Sequence, residues 1–288
     1  GLPKGVLNII HGSGSTTGQA IVEHPNIKAL SFTGGTKTGS FIAKAAAPMF
    51  KKLSLELGGK NPVIIFSDCD YNEMLQTTVK SSFANQGQIC LCGSRIFVES
   101  SMYEKFKTDF IAAVSELKVG SPFKNDTDIG ALVSKTHLSK VKSYIDHAEQ
   151  YGGSIIFGGN LVSVQDLENG YYLEPTIIEV NDNSCTLNQE EIFGPVVTIM
   201  PFNDENEVLA MANDIPYGLS ATLWTNNLSR SIRVSKQLDA GIIWVNTWLL
   251  RDLRTPFGGM KNFGVGREGG LEALRFFTEP KNICIKYN

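Results

Sequence analysis

Residues 29–66 read ALSFTGGTKTGSFIAKAAAPMFKKLSLELGGKNPVIIF, and this stretch predicts the fold class of the chain. A strand predicted over 29–32 is followed by a glycine-bearing loop and an Ala-rich helix over 40–47. Further strands are predicted over 53–56 and 63–66. Strands that alternate with helices are typical of parallel βαβ units. The stretch therefore predicts an α/β fold.

The alternation continues on both sides of this stretch. Upstream, the apolar run Val6–Ile10 predicts a buried strand that leads into glycines at residues 12, 14 and 18. Downstream, apolar positions three and four apart predict helices, and short apolar runs predict strands. The predicted helices span 71–83, 102–117, 136–151, 205–213 and 228–238, and the predicted strands span 95–98, 154–157, 196–202, 221–224, 241–245 and 282–287.

Two glycine-bearing loops allow a nucleotide site. The spacing G-x-G-x-x-x-G over residues 12–18 suits either a phosphate at a helix N-terminus or a plain strand-to-helix turn, because it differs from the standard dinucleotide fingerprint. In the second loop, SFTGGTKTG, Gly34 and Gly35 allow close backbone approach and Thr36 can cap the next helix. Two such loops in succession favour nucleotide binding more than either alone.

Composition excludes several classes of protein. A length of 288 residues suits roughly two domains, and a net charge of −3 without a dense basic run does not favour a nucleic-acid partner. No apolar run approaches the ~18 residues of a membrane span. Five scattered cysteines do not resemble a disulfide framework, so a reducing compartment and a cytoplasmic location are expected. Cys90 and Cys92 lack a second pair at zinc-ligand spacing, so no metal site is predicted.

A thiol and a carboxylate stand out as candidate catalytic groups. A single cysteine is most often a buried small hydrophobe, but Cys90 lies in FANQGQICLCGSR, where glycines and amides predict a polar turn with exposed backbone. Glu56 ends the apolar run LSLEL, where a buried carboxylate is costly unless it is paired or functional. It is either a cap or ion-pair partner, or a base. The two groups together suit thioester chemistry.

Two further segments carry candidate binding residues. Glu190 and Glu191 precede a Gly-Pro corner, and they form either a solvated turn or an acceptor for a sugar hydroxyl. Arg251 and Arg254 follow an aromatic stretch, Trp244–Trp248, that predicts a pocket wall. They are either ordinary surface charges or a clamp for a substrate carboxylate.

The segments LSLELGGKNP, FANQGQICLCGSR, EEIFGPV and TPFGGMKNFGVGREGG together resemble the aldehyde dehydrogenase superfamily, in family order and across the whole chain. The resemblance implies the C-terminal part of a Rossmann-type NAD-binding domain over 1–58 and a three-layer α/β catalytic domain over 59–262. It also implies a return segment over 263–288 that ends in the predicted strand 282–287. In the family that strand pairs with a neighbouring subunit, so a homodimer or homotetramer is expected.

The resemblance also implies roles for individual residues. Cys90 is then the nucleophile and Glu56 the base that activates water, while Glu191 binds the nicotinamide ribose and Phe193 packs beside the nicotinamide. The implied cofactor is NAD, with NADP left open. Three more residues are expected near the cofactor: Leu57, Gly34 and Gly35. Members of the family often have a serine at the position of Gly35.

The stretch VNTWLLRDLRTPFGG most resembles the enzymes that oxidise 2-aminomuconic and 2-hydroxymuconic semialdehydes. By that resemblance Arg251 holds the remote carboxylate of the substrate, which a guanidinium grips in a bidentate manner, and Phe257 belongs to the substrate pocket. The expected reaction is the oxidation of a carboxylated semialdehyde to the acid.

Two other functions stay open at the level of sequence. A full member of the superfamily has a long N-terminal portion with the first cofactor strands, the adenosine-binding Lys and Glu, and the Asn that completes the oxyanion hole. None of it is present, so the chain looks N-terminally truncated. It is then a catalytically incomplete fragment or a structural relative with little turnover. An enzyme that transfers the acyl group to coenzyme A is disfavoured, because Glu56 as a water-activating base favours hydrolysis.

Overall fold

The computed structural model describes residues 1–287, and this part of the chain divides into two compact units. The larger unit contains residues 58–252 and 258–263, and the smaller unit contains residues 1–57, 253–257 and the described residues from 264 onward. The C-terminal residue of the predicted tail, Asn288, lies outside the described residues.

Strands and helices alternate along the chain, as the α/β prediction requires. The strands are β1 (Ala29–Thr33), β2 (Lys52–Glu56), β3 (Asn61–Ile65), β4 (Gly93–Glu99), β5 (Gly153–Phe157), β6 (Thr176–Val180), β7 (Val196–Phe202), β8 (Tyr217–Gly218), β9 (Ser220–Trp224), β10 (Ile242–Val245), β11 (Met260–Lys261) and β12 (Gly264–Val265). The helices are α1 (Gln19–Glu23), α2 (Thr36–Ala46), α3 (Tyr71–Phe83), α4 (Tyr103–Ser115), α5 (Lys135–Asp146), α6 (Thr186–Gln189), α7 (Glu205–Asn213), α8 (Leu228–Gln237) and α9 (Gly270–Phe276). The α/β class is confirmed.

A seven-stranded sheet of order β10-β9-β3-β4-β7-β6-β5 forms the centre of the larger unit. All neighbouring strands are parallel except β5, which runs antiparallel to β6. Every residue of β3 is buried, as expected for a central strand covered on both faces. Apolar clusters lie on the two faces, one with Val63 and Phe106 and the other with Ile64 and Val208.

Four helices of the larger unit, α3, α5, α7 and α8, begin with a short polar side chain that caps the first turn. Asp70 accepts a hydrogen bond from Glu73 N before α3, and Asp204 accepts from Glu207 N before α7. Because the caps and the apolar periodicity agree, both helices have the predicted bounds, 71–83 and 205–213.

The smaller unit has a three-stranded sheet of order β1-β2-β12, with β1 and β2 parallel and β12 antiparallel to β2. Helix α2 packs on this sheet through Ile42 and Ala46, which form a core with Leu30, Leu55 and Leu57. Gly264 allows β12 to approach, because a Cβ atom there would lie 1.7 Å from the Leu55 carbonyl oxygen.

The prediction of a buried strand over Val6–Ile10 was wrong. The segment forms no strand, and its apolar side chains are exposed, including Ile9 at 75%. An apolar run becomes a buried strand only when a neighbouring strand supplies backbone partners, and no described strand pairs with this segment.

Residues 282–287 likewise form no strand within the chain, and Ile283 and Ile285 are exposed. The family pairing is with another subunit, so that strand stays a prediction for an assembly. Six of the strands and helices were not predicted: β6, β8, β11, β12, α6 and α9. None of the helices in the described part of the chain has the length and apolar character of a membrane span.

Candidate active site

Three connecting segments of the larger unit meet because of the sheet order. Residues 58–60 precede β3, residues 88–92 precede β4, and residues 190–195 precede β7. The strands β3, β4 and β7 are adjacent and parallel, so the segments before them lie at the same edge of the sheet. This edge carries Cys90 and Glu191. It is the amino edge, whereas ligands of open parallel sheets usually bind at the carboxyl edge.

The turn before Cys90 has an unusual backbone. Asn85, Gln86 and Gly87 have φ values of 50°, 57° and 66°, so three successive residues lie in the left-handed region. Non-glycine residues are disfavoured there and persist only where their surroundings fix them. Asn85 contributes by donating from Nδ2 to Gln88 O, and its own carbonyl accepts from Gln88 N. The sequence prediction of a polar, backbone-exposed turn agrees with this local structure.

Gly87 holds this turn against the segment before β7. A Cβ atom at Gly87 would lie 2.1 Å from the carbonyl oxygen of Gly194. Glycine is therefore required twice at this position, by the positive φ and by the close approach of another backbone. The glycine couples the Cys90 turn to the EEIFGP segment.

Carbonyl groups at and after Cys90 are held by side chains from distant elements. Asn61 donates from Nδ2 to Cys90 O at 2.7 Å and to Cys92 O at 2.9 Å. Trp248 donates from its indole Nε1 to Leu91 O at 3.0 Å. Sequence reasoning missed both donors, because nothing in the local pattern indicates contacts across 31 and 157 positions.

The segment that carries Glu191 and Phe193 is held by helix α5. Lys140 donates to Glu191 O at 2.9 Å, and His137 Nε2 lies 2.6 Å from Phe193 O. Phe193 has φ 60° and its ring meets the His137 ring edge to face. Glu191 Oε1 accepts from Gly59 N at 2.8 Å, which ties this segment to the one before β3.

Burial affects the charge of Glu191. Desolvation raises the pKa of its carboxyl, and the hydrogen bond from Gly59 N opposes that rise. The carboxyl remains a hydrogen-bond acceptor suited to a sugar hydroxyl, which was the sequence-based alternative to a solvated turn.

Cys90, Glu191 and Phe193 line one cavity, together with Gly59 and Lys60. The cavity volume is about 20 Å³, which is room for about one water molecule. Cys92 also lines it, but burial raises the pKa of that thiol to about 12, so it stays protonated at neutral pH. Since a thiolate is the reactive form, Cys92 is a poor nucleophile.

Lys60 is the most unusual charged group at this edge. Its side chain is 2% exposed, and Nζ has no hydrogen-bond partner among the described residues. Burial first, and then the neighbouring charge of Arg95, lower the pKa of Lys60 to about 7. Arg95 is itself buried and donates to three carbonyls, including Lys60 O at 3.0 Å. Lys60 was not among the residues predicted from the sequence, although its place between two glycines and a buried strand is a signal that could have indicated it.

The candidate base lies in the smaller unit, at the carboxyl end of β2. Glu56 is 3% exposed and is flanked by Thr33 on β1 and Gly264 on β12. Its carbonyl accepts from Gly34 N at 2.9 Å, so Glu56 and the second glycine loop lie at the same end of the sheet.

Gly35 and Leu57 differ in what they offer a ligand. A Cβ atom at Gly35 would meet open space, so only backbone groups are presented there. The Leu57 side chain packs against Gly39 of α2 within the apolar core. A contact from Leu57 to a cofactor would therefore have to come from its backbone.

The two candidate substrate residues fall in different units. Arg251 is exposed and follows β10 in the larger unit. Phe257 is half-buried in the smaller unit, where it exchanges backbone hydrogen bonds of 2.8 and 2.7 Å with Glu268. Within residues 1–287, no group of three or more His, Cys, Asp or Glu side chains is arranged to hold a metal ion.

Comparison with known proteins extends over nearly the whole chain. The 2-aminomuconic semialdehyde dehydrogenase of Danio rerio is 50% identical over 290 residues, which cover all of this chain and 60% of that protein. The 2-aminomuconic 6-semialdehyde dehydrogenase of a Pseudomonas species is 46% identical and covers 99% of this chain. The chain thus spans about 60% of the length of these curated relatives.

Solved structures of aldehyde dehydrogenases share the fold of this chain. The crystal structure of betaine aldehyde dehydrogenase from Staphylococcus aureus in complex with NAD+ superposes with a TM-score of 0.92 and 40% identity, over 95% of this chain and 54% of that one. The model of the aldehyde dehydrogenase family matches residues 1–283. The resemblance seen in the sequence is confirmed: this chain belongs to the aldehyde dehydrogenase family.

Proposed function

We propose that this chain carries the nucleophile and the base of an enzyme that oxidises a carboxylated semialdehyde to the carboxylic acid with NAD. One observation carries the proposal: Cys90 lies in a fixed turn beside Glu191 and Phe193, while the neighbouring Cys92 is kept as a thiol by burial. The names of the relatives support the substrate class, since the compounds they act on are semialdehydes of muconic acids.

In this mechanism the Cys90 thiolate attacks the aldehyde carbon and forms a C–S bond. The carbonyl oxygen becomes an oxyanion, which the backbone N–H of Cys90 stabilises. NAD, when bound, supplies the acceptor for the hydride that leaves the same carbon. Loss of the hydride leaves a thioester on Cys90.

Release of the product needs water and a base. Glu56 takes a proton from a water molecule, whose oxygen attacks the thioester carbon. The C–S bond breaks, the carboxylic acid leaves and Cys90 returns as thiolate. A buried carboxylate at the end of a strand is suited to this role, because its position is set by backbone pairing on both sides.

The residues present fit the proposed cofactor. The Glu191 carboxyl has one oxygen fixed by Gly59 N and is a suitable acceptor for the nicotinamide ribose. Phe193, whose carbonyl is fixed by His137, would pack beside the nicotinamide. In the smaller unit, the backbone of Gly34, Gly35 and Leu57 would contact the cofactor.

Arg251 is proposed to grip the remote carboxylate of the substrate, and Phe257 to line the pocket. A guanidinium binds a carboxylate through two parallel hydrogen bonds, so its loss weakens binding of carboxylated aldehydes selectively. In Arg251→Ala, KM for a carboxylated semialdehyde should rise about tenfold or more, while KM for an uncharged aliphatic aldehyde changes little. Equal changes for both substrates would refute the clamp.

The reaction itself is tested by following the absorbance of reduced nicotinamide with the purified protein, NAD and 2-aminomuconic or 2-hydroxymuconic semialdehyde. Turnover that depends on Cys90 and yields free acid supports the proposal. Added coenzyme A should leave the rate unchanged, because water accepts the acyl group. Formation of an acyl-coenzyme A would identify an acylating enzyme, and absence of turnover with every aldehyde would identify a non-catalytic relative.

A further inference from the structure

Three successive carbonyl groups around the nucleophile are fixed by only two side chains. Asn61 binds the carbonyls of Cys90 and Cys92, and Trp248 binds the carbonyl of Leu91 between them. A carbonyl held by a donor on another element cannot rotate without breaking that bond. The orientation of the peptide groups at Cys90 therefore depends on where Asn61 and Trp248 lie.

Asn61 is anchored on the central sheet. Its side chain is 4% exposed at the start of β3, and Oδ1 accepts from Ser220 N of β9 at 3.1 Å. The amide thus has a partner on each side, which fixes its orientation. Asn61 links the Cys90 turn to the rigid part of the fold.

Trp248 belongs to a different kind of segment. The loop after β10 contains two non-glycine residues in the left-handed region, Asn246 with φ 53° and Leu249 with φ 60°. The Asn246 amide bridges the N–H and carbonyl of Thr225 at 3.0 and 2.9 Å, and Trp244 Nε1 donates to Leu250 O at 2.9 Å. A backbone of this kind persists because hydrogen bonds define it. The loop then reaches Arg251, the candidate carboxylate clamp.

Trp248 is the residue of this loop whose indole reaches the nucleophile turn. It is 8% exposed, so the bond to Leu91 O is shielded from water. A shielded hydrogen bond of good length resists small displacements more than an exposed one. One side chain therefore fixes the spacing between the turn that carries the thiol and the loop that carries the guanidinium.

We propose that Trp248 is a positioning residue that keeps the Arg251 loop in register with the Cys90 turn, so that a substrate held by its carboxylate presents its aldehyde carbon to the thiol. The inference rests on the proposed function. A substrate that Arg251 does not hold can shift to meet Cys90, whereas one held at both ends cannot. Displacement of reacting groups by about 1 Å costs up to about 100-fold in rate.

The first test compares Trp248→Phe with the unchanged protein. This variant removes the indole N–H and keeps an aromatic ring. With a carboxylated semialdehyde, kcat should fall about 10- to 100-fold while KM changes less than about threefold, and with an uncharged aldehyde of equal length kcat should fall less than about threefold. Equal losses for the two substrates, or no loss for either, would overturn the proposal.

A matched control is available at Trp224. Its side chain is 1% exposed, and its indole N–H has no hydrogen-bond partner among the described residues. Trp224→Phe therefore removes the same group and a similar volume from a buried position without touching the nucleophile turn. It should leave the ratio of kcat values for the two substrates unchanged. A changed ratio in this control would assign the effect to general loosening and overturn the proposal.

The second test does not depend on catalysis. Cys90 is alkylated with iodoacetamide, and the modified peptide is quantified by mass spectrometry. The alkylation rate should change at least about threefold in Trp248→Phe and stay unchanged in Trp224→Phe, because only the former releases Leu91 O. An unchanged alkylation rate would show that Trp248 does not fix the Cys90 turn and would overturn the proposal.

The alkylation test also separates the failure of this proposal from the failure of the proposed function. If the unchanged protein oxidises no aldehyde, the proposed function fails, but the alkylation rate still decides whether Trp248 fixes the turn. Should Trp248→Phe fail to fold, Trp248→Tyr tests the same bond.

Discussion

The turn that carries Cys90 and the strand that carries Glu56 are fixed by different kinds of interaction. The Cys90 turn has a left-handed backbone, and side chains from distant elements bind its carbonyls. Glu56 lies in a regular strand that pairs on both sides through backbone groups. Single side-chain changes can therefore disturb the first region, whereas the second is sensitive mainly to changes that alter the backbone.

The largest expected effect is at the thiol. Cys90→Ser should lower turnover at least about 1,000-fold, because a hydroxyl is a far weaker nucleophile than a thiolate and no other group takes its place. Turnover is measured by reduced-nicotinamide absorbance, and folding by circular dichroism.

Cys69→Ser is the matched control for this change. Burial raises the pKa of Cys69 to about 11, and the residue lies outside the candidate site, so turnover should change less than about threefold. Substantial residual activity in Cys90→Ser would show that the turn does not carry the nucleophile.

Glu56→Gln should slow release of the acid while leaving acylation intact. The amide keeps the size of the side chain and the strand pairing but cannot take a proton from water, so steady-state turnover should fall about 100- to 10,000-fold. A burst of reduced cofactor equal to the amount of enzyme should remain, which rapid-mixing absorbance detects.

An exposed carboxylate of the same unit, Glu23, provides the control, since Glu23→Gln leaves β2 unchanged. Loss of the burst in Glu56→Gln would place Glu56 in the attack step instead of the hydrolysis step. A melting temperature far below that of the unchanged protein would show that the strand depends on this side chain as the Cys90 turn does on Asn61.

A backbone change should break the strand where a side-chain change does not. In Gly264→Ala, the new Cβ would lie 1.7 Å from Leu55 O, so β12 must separate from β2. The free energy of unfolding should fall by about 3 kcal/mol or more, measured by chemical denaturation. The control Gly18→Ala adds a Cβ into open space at a right-handed helical position and should stabilise by about 0.5–1 kcal/mol. Equal stability of the two variants would refute the role of close approach.

The sequence predicted regular elements better than it predicted contacts. Helix α3 has the predicted bounds because apolar periodicity and the Asp70 cap define it, and strand β7 has the predicted bounds because a short, largely apolar run defines it. The run Val6–Ile10 has the same apolar character as β3, yet it forms no strand, since strand formation depends on pairing partners that lie elsewhere in the chain.

In the candidate site, too, contacts between distant residues could not be predicted from the sequence. Cys90, Glu56 and Glu191 carry chemistry in their own side chains and could be selected from residue type and context. Asn61 and Trp248 act by holding carbonyls of other residues, and a carbonyl has no sequence signature. The topology that brings the segments before β3, β4 and β7 together follows from strand order, which is a property of the folded chain.

The smallest of these effects is expected at Lys60, which lies next to Asn61 in the larger unit. In the folded state its pKa is lowered to about 7 by burial first and then by Arg95, with Lys140 acting in the same direction and Glu191 and Cys185 opposing it. The unfolded chain therefore binds more protons than the folded one between about pH 7 and pH 10.5, and the stability of the unchanged protein should rise with pH across that window.

Lys60→Met, which cannot titrate, should be more stable than the unchanged protein below pH 7. The difference in the free energy of unfolding between Lys60→Met and the unchanged protein should decrease by about 2 kcal/mol between about pH 7 and pH 9. It is measured by chemical denaturation at each pH. A constant difference between Lys60→Met and the unchanged protein would mean that the Lys60 ammonium is stabilised by a partner, and the edge that carries Cys90 would then be a paired charge network instead of a desolvated one.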